Sequence, residues 1–190
     1  LIGRDRDLKG IDIIEKENKW IVRVRQEVHS KASQMLVRGL ETQNQVEVTN
    51  SLQVFSNLRS LSDTVTQTIA IIEEKMNSSI HGVLDFSSMQ QSNSKSSQYS
   101  VEWKAVLWTR MEKLVDVLYQ CCVQVWHLQR VLNKNGLILP ELNLEKNGMT
   151  RSFWQRFTRT LESEFNNAAS ESTFFENTFV TDYARLVHIF

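Results

Sequence analysis

Apolar residues recur along the chain at intervals of three, four and seven, the period of a helix face, with charges between them. From Ile11 to about Gln43 the stripe is Ile14, Ile21, Val24, Val28, Met35, Leu36 and Leu40. Unbroken, that helix is about 50 Å long at ~1.5 Å per residue. A second helix is predicted over Val46–Leu58, with Val48, Leu52 and Phe55 on one face. Ser60 followed by Asp63 has the form of a capping box. It opens a third helix, striped by Leu61, Val65, Ile69, Ile72, Met76, Ile80 and Leu84. The strongest pattern is 102–134, where Leu107, Met111, Leu114, Leu118, Cys121, Val125, Leu128 and Leu132 alternate steps of four and three. Trp103, Trp108, Val115, Cys122 and Trp126 flank that seam, so the apolar face is wide enough for burial between several helices. Two further helices are predicted over 151–166, faced by Trp154, Phe157, Leu161 and Phe165, and over 172–189, faced by Phe175, Phe179, Tyr183 and Leu186.

Two stretches interrupt the pattern. Residues 87–100 hold seven Ser and three Gln and cannot bury enough apolar surface to offset ordering. Residues 135–150 hold Gly136, Pro140 and Gly148 and read as a loop. The expected organisation is an N-terminal helical part over 1–86, a mobile linker over 87–100, and a continuing helical rod over 101–190. The fold class is all-α, an elongated bundle of long antiparallel helices.

Composition agrees. The 190 residues include one Pro and six Gly, where average usage gives roughly nine and thirteen. Few turns need few turn residues. Lys plus Arg and Asp plus Glu are 22 each, so no bulk positive charge draws the chain to nucleic acid or anionic lipid. No apolar run approaches the ~18 residues of a membrane span. The chain opens on Leu1 and stops at Phe190 in mid-pattern, and reads as a piece of a longer protein. Cys121 and Cys122 are adjacent, which gives no disulfide framework and fits a reducing compartment.

Nothing in the sequence assembles a catalytic, cofactor or metal site. His29, His81, His127 and His188 share no ligand spacing. The two Cys sit within an apolar helix stripe rather than at a helix N-terminus, and read as buried small hydrophobes. No glycine motif that cradles phosphate occurs. Glu73-Glu74 and Glu162/Glu164 read as solvated carboxylates. Arg151, Arg156 and Arg159 interleave with Phe153, Trp154 and Phe157. A helix that binds membrane or nucleic acid directly through Arg151–Arg159 is therefore the alternative reading. Five Trp and nine Phe exceed what a thin helical rod can bury, which leaves apolar surface for a partner. The residues expected to bind it are Leu52, Phe55, Trp154, Phe157, Phe179 and Tyr183.

Two blocks resemble a known family. One is Gly39-Leu-Glu-Thr-Gln-Asn-Gln45 with Leu52-Gln-Val-Phe55, Asn57-Leu58 and Asp63-Thr64. The other is Leu107-Trp-Thr109, Met111-Glu-Lys-Leu114, Asp116, Gln124-Val125, His127-Leu-Gln129 and Val131-Leu132. In order and spacing, over residues 25 to 190, they resemble subunit five of the conserved oligomeric Golgi complex. The resemblance implies a non-catalytic scaffold in a vesicle-tethering complex that acts in intra-Golgi retrograde transport. It implies peripheral attachment at the cytosolic face of the Golgi, with subunit seven and other subunits of the second lobe as partners. It carries over no catalytic residue, and the expectation is of no nucleic acid, small-molecule substrate, cofactor or metal. Segments 86–100 and 134–150 depart from the family's pattern, and residues 1–24 are unplaced by it.

Overall fold

A computed structural model describes residues 12–85, 99–137 and 148–189, with side chains from 17 and from 103 in the first two stretches. The described chain is helical, without strands among the described residues. The helices are α1 Asp12–Glu41, α2 Gln45–Asn57, α3 Leu61–Leu84, α4 Tyr99–Lys134, α5 Gly148–Glu171, α6 Thr173–Thr181 and α7 Tyr183–Ile189. The Ser/Gln-rich stretch up to Gln98 lies outside the described residues, and α4 starts at Tyr99, just before the 102 predicted. Of the expected loop over 135–150, residues 135–137 are non-helical, 138–147 lie outside the described residues, and 148–150 belong to α5. The chain divides into two compact units, one up to Leu61 and the other from Ser62 onward.

The first unit is a hairpin of α1 and α2. Its corner is set by the polar run after Gly39. Gln43 takes the left-handed conformation, φ 55°. The Asn44 N–H donates back to the Gly39 carbonyl at 2.8 Å, closing the C-terminus of α1. Asn44 then caps α2, its side-chain oxygen accepting from the N–H groups of Val46 and Glu47. Gly39 is needed because the helices approach closely there. A Cβ at this position would lie 2.9 Å from Val48 Cγ2 and 3.1 Å from the Val48 nitrogen. Arg38 closes the outside of the corner with a two-pronged bond to Glu47, at 3.0 and 2.8 Å. Ala32, Leu36 and Leu40 of α1 are buried, as are Val48, Leu52 and Phe55 of α2.

The far end of α2 is closed by the same device. Arg59 is left-handed, φ 57°, and the Ser60 N–H donates to the Phe55 carbonyl at 3.0 Å. Arg25 of α1 donates to the Leu58 carbonyl at 2.8 Å. Beyond this point α1 continues without α2 beside it. Ile21 and Val28, predicted as core, are therefore exposed.

From Leu61 onward, every residue of the predicted α3 and α4 stripes is buried. Around the α4 seam, Trp108, Gln124, His127, Gln129 and Val131 are buried as well. The wide face thus packs against more than one element. Gln129 reaches the start of α5, where its side-chain oxygen accepts from the Thr150 N–H at 2.8 Å and hydroxyl at 2.6 Å. It thereby satisfies a first-turn N–H that no intrahelical carbonyl can reach. α3 meets α5 through Glu73–Arg156 at 2.7 Å and through His81 Nδ1 and Glu164 Oε2 at 3.0 Å.

Two details differ from the sequence reading. The core stripe of α5 is Met149, Phe153, Phe157 and Ala168, so Phe153 faces inward and Trp154 outward. The final helix is broken at Asp182, which separates α6 from α7. The Asp182 carboxylate accepts the Trp108 indole N–H at 3.1 Å and lies 3.6 Å from the Lys104 ammonium. Its carbonyl starts α7 by accepting from the N–H groups of Arg185 and Leu186.

Candidate interaction surface

Burial sorts the six expected partner residues. Leu52 and Phe55 have no exposed surface, and His29 packs edge-on against Phe55 with ring centres 5.1 Å apart. Phe157 lies in the core of the second unit. Phe179 is half-buried and stacks on Phe165 at 5.1 Å and on Phe175 at 5.7 Å. These four hold helices of this chain together. Trp154 and Tyr183 face solvent, 54% and 64% exposed.

Both exposed rings stand on helices that frame one open groove. Thr158, Leu161, Glu162 and Phe165 of α5, with Leu186 and Val187 of α7, line an open groove of about 330 Å³. Trp154 stands one helical turn before Thr158 on α5, and Tyr183 one turn before Leu186 and Val187 on α7. Val187, in the wall, is itself 58% exposed. Apart from Thr158 and Glu162 the lining is apolar, the composition of a helix-packing surface.

Chemistry is sparse elsewhere. Among the described residues, no group of three or more His, Cys, Asp and Glu is placed to hold a metal ion. Burial pushes the thiols of Cys121 and Cys122 upward, away from the reactive thiolate. Burial, with Arg130 nearby, pushes the His127 imidazole below its ordinary value. On the Arg151–Arg159 helix, Phe153 and Phe157 are buried and Arg156 is bound to Glu73. That leaves Arg151, Arg159 and Trp154 on its open face. No described helix is long and apolar enough to cross a membrane.

Comparison with known proteins decides the family. The family described as conserved oligomeric Golgi complex subunit 5, C-terminal, matches residues 8–190. The chain belongs to that family. A Mus musculus protein named conserved oligomeric Golgi complex subunit 5 is 32% identical, over 97% of this chain and 24% of its own length. The Arabidopsis thaliana protein of the same name is 31% identical, over 97% and 24%. A Dictyostelium discoideum protein, again of that name, is 23% identical over the whole chain and 30% of its own length. The chain thus spans about a quarter of the length of these relatives. The family match takes in residues 8–24, which the sequence resemblance left unplaced. No solved structure gives a significant match.

The structure also explains the resembling blocks physically. Gly39 to Gln45 is the hairpin corner, with its close approach, left-handed residue and cap. Trp108 and Gln129 hold Asp182 and Thr150, each from another helix. Helix periodicity alone singles out none of these residues, because their partners are turns and helix ends.

Proposed function

We propose that this chain is a non-catalytic interaction module of the conserved oligomeric Golgi complex. It binds a partner subunit by helix-on-helix packing at the α5–α7 groove, with Trp154 and Tyr183 as anchors. The carrying observation is the open, largely apolar groove between α5 and α7, with the exposed rings of Trp154 and Tyr183 each one helical turn from residues that line it. Aromatic anchors of this kind supply most of the energy of protein interfaces. The partner is subunit seven, within the second lobe of the complex. The module works at the cytosolic face of the Golgi, peripheral to the membrane and attached through the complex, in vesicle tethering for intra-Golgi retrograde transport. Family membership supports this assignment.

The test is co-expression with subunit seven, followed by size-exclusion chromatography with light scattering. The expected result is a one-to-one heterodimer. Trp154→Asp and Tyr183→Asp each dissolve it and leave helical circular dichroism intact, because both side chains are exposed. A heterodimer indifferent to both substitutions places the interface elsewhere. A chain that stays monomeric beside subunit seven overturns the partner assignment.

A further inference from the structure

A second surface belongs to the first unit. α1 has 30 residues and α2 has 13, so roughly 45 Å of helix faces roughly 20 Å. Ala32, Leu36 and Leu40 are covered by α2. The same face runs on toward the N-terminus as Val28, Val24 and Ile21, past the end of α2 at Leu58. There the helices frame an open groove of about 750 Å³, walled by Trp20, Ile21, Val24, Val28 and Leu58. Trp20 is 64% exposed, and Ile21 and Val28 are exposed too.

The charge of this groove has one sign. Arg25 and Arg59 are in its lining and no carboxylate is. Arg25 is fixed at the groove end by its bond to the Leu58 carbonyl. Arg59 occupies a left-handed position where glycine is the usual residue, so its side chain is kept at a backbone cost. The acids nearest along α1, Glu17 and Glu27, are outside the lining, and Glu27 is bonded to Lys31 at 2.7 Å.

We propose that this groove docks an amphipathic helix of another protein, one whose apolar stripe is flanked by Asp or Glu. A helix laid in line with α2 continues the packing already made by Ala32, Leu36 and Leu40, using Ile21, Val24 and Val28 at the three-and-four spacing of one helix face. The acidic flanks answer Arg25 and Arg59. A lipid surface fits less well. Trp20, Ile21 and Val22 are consecutive and all exposed, so apolar surface wraps about 200° around α1. A bilayer plane meets one side of a helix. The site does not rest on the subunit-seven reading, since the anchors of that reading belong to the other unit.

The test uses the full 190-residue chain and a labelled helical peptide about three heptads long, with a leucine stripe and Glu flanks. Its control keeps the stripe and carries Lys flanks. In fluorescence anisotropy the Glu peptide binds about tenfold tighter than the Lys peptide. Trp20→Ala weakens it about tenfold with circular dichroism unchanged, and Arg59→Glu reverses the preference between flanks. Equal binding of both peptides, binding by neither, or binding indifferent to Trp20→Ala overturns the proposal. Uptake by phosphatidylserine vesicles that Trp20→Ala abolishes assigns the surface to lipid and overturns it as well.

Discussion

His127 sits in α4 with only 6% of its surface exposed, and its Nε2 has no hydrogen-bond partner among the described residues. Burial is the larger cause of its lowered pKa and Arg130 the smaller. In the unfolded chain the imidazole takes a proton at its ordinary value, and in the folded chain only at lower pH. Between those two values the unfolded state binds more protons, so stability falls as the pH falls. Above the unfolded value the effect is absent. Urea midpoints should therefore drop between about pH 7.5 and about pH 5.5, and His127→Leu should flatten that part of the profile. An unchanged slope in the variant would show that other groups carry the acid sensitivity. His127 is also one of the residues that resemble the family. The structure gives it a physical place, buried among the apolar neighbours of the α4 seam, and no catalytic partner among the described residues.

Helices α3 and α4 were legible because each keeps one face inward for its whole length. The spacing from Leu61 to Leu84 and from Leu107 to Leu132 is then a direct image of burial. Elsewhere the deciding partner lies far along the chain. α1 shows an apolar stripe from Ile14 to Leu40, but how much of it is covered depends on the length of α2, which α1 does not encode. The phase of α5 depends on Met149, one turn before Phe153 and outside the helix predicted from 151. The break at Asp182 depends on Trp108, 74 residues earlier. The candidate surface was legible only in part, since spacing marks apolar residues without telling Phe157, inside, from Trp154, outside. The hairpin of α1 and α2 allows a sharp test of packing at element scale. In Gly39→Ala the new Cβ meets the Val48 nitrogen, which belongs to backbone, so the two helices must separate to admit it. Overpacking of this kind costs about 1–3 kcal/mol, against which the better helix propensity of Ala returns up to about 1. The net expectation is a loss of about 1–2 kcal/mol, read as a lower urea midpoint with the m-value unchanged.

At the scale of the whole molecule, charge balance and exposed apolar surface act together. With 22 basic and 22 acidic side chains the net charge is zero near pH 7.1, so copies of the chain repel one another least there. The same molecule exposes Trp20, Trp126, Trp154 and Tyr183, rings that attract apolar surface. Short-range attraction should then dominate near neutral pH and give way to repulsion as charge accumulates on either side. Light scattering of the isolated chain should show most self-association near pH 7 and less near about pH 9, where the acidic groups outnumber the basic ones in charge. Added salt separates the causes. If long-range repulsion suppresses association at pH 9, salt screens it and restores association there. At pH 7, where no net repulsion exists, salt should change little. Trp20→Ser with Trp154→Ser should reduce association at pH 7 without altering the fold, because neither ring is buried. Association that persists in that double variant would mean that other rings, Trp126 first among them, provide the contact.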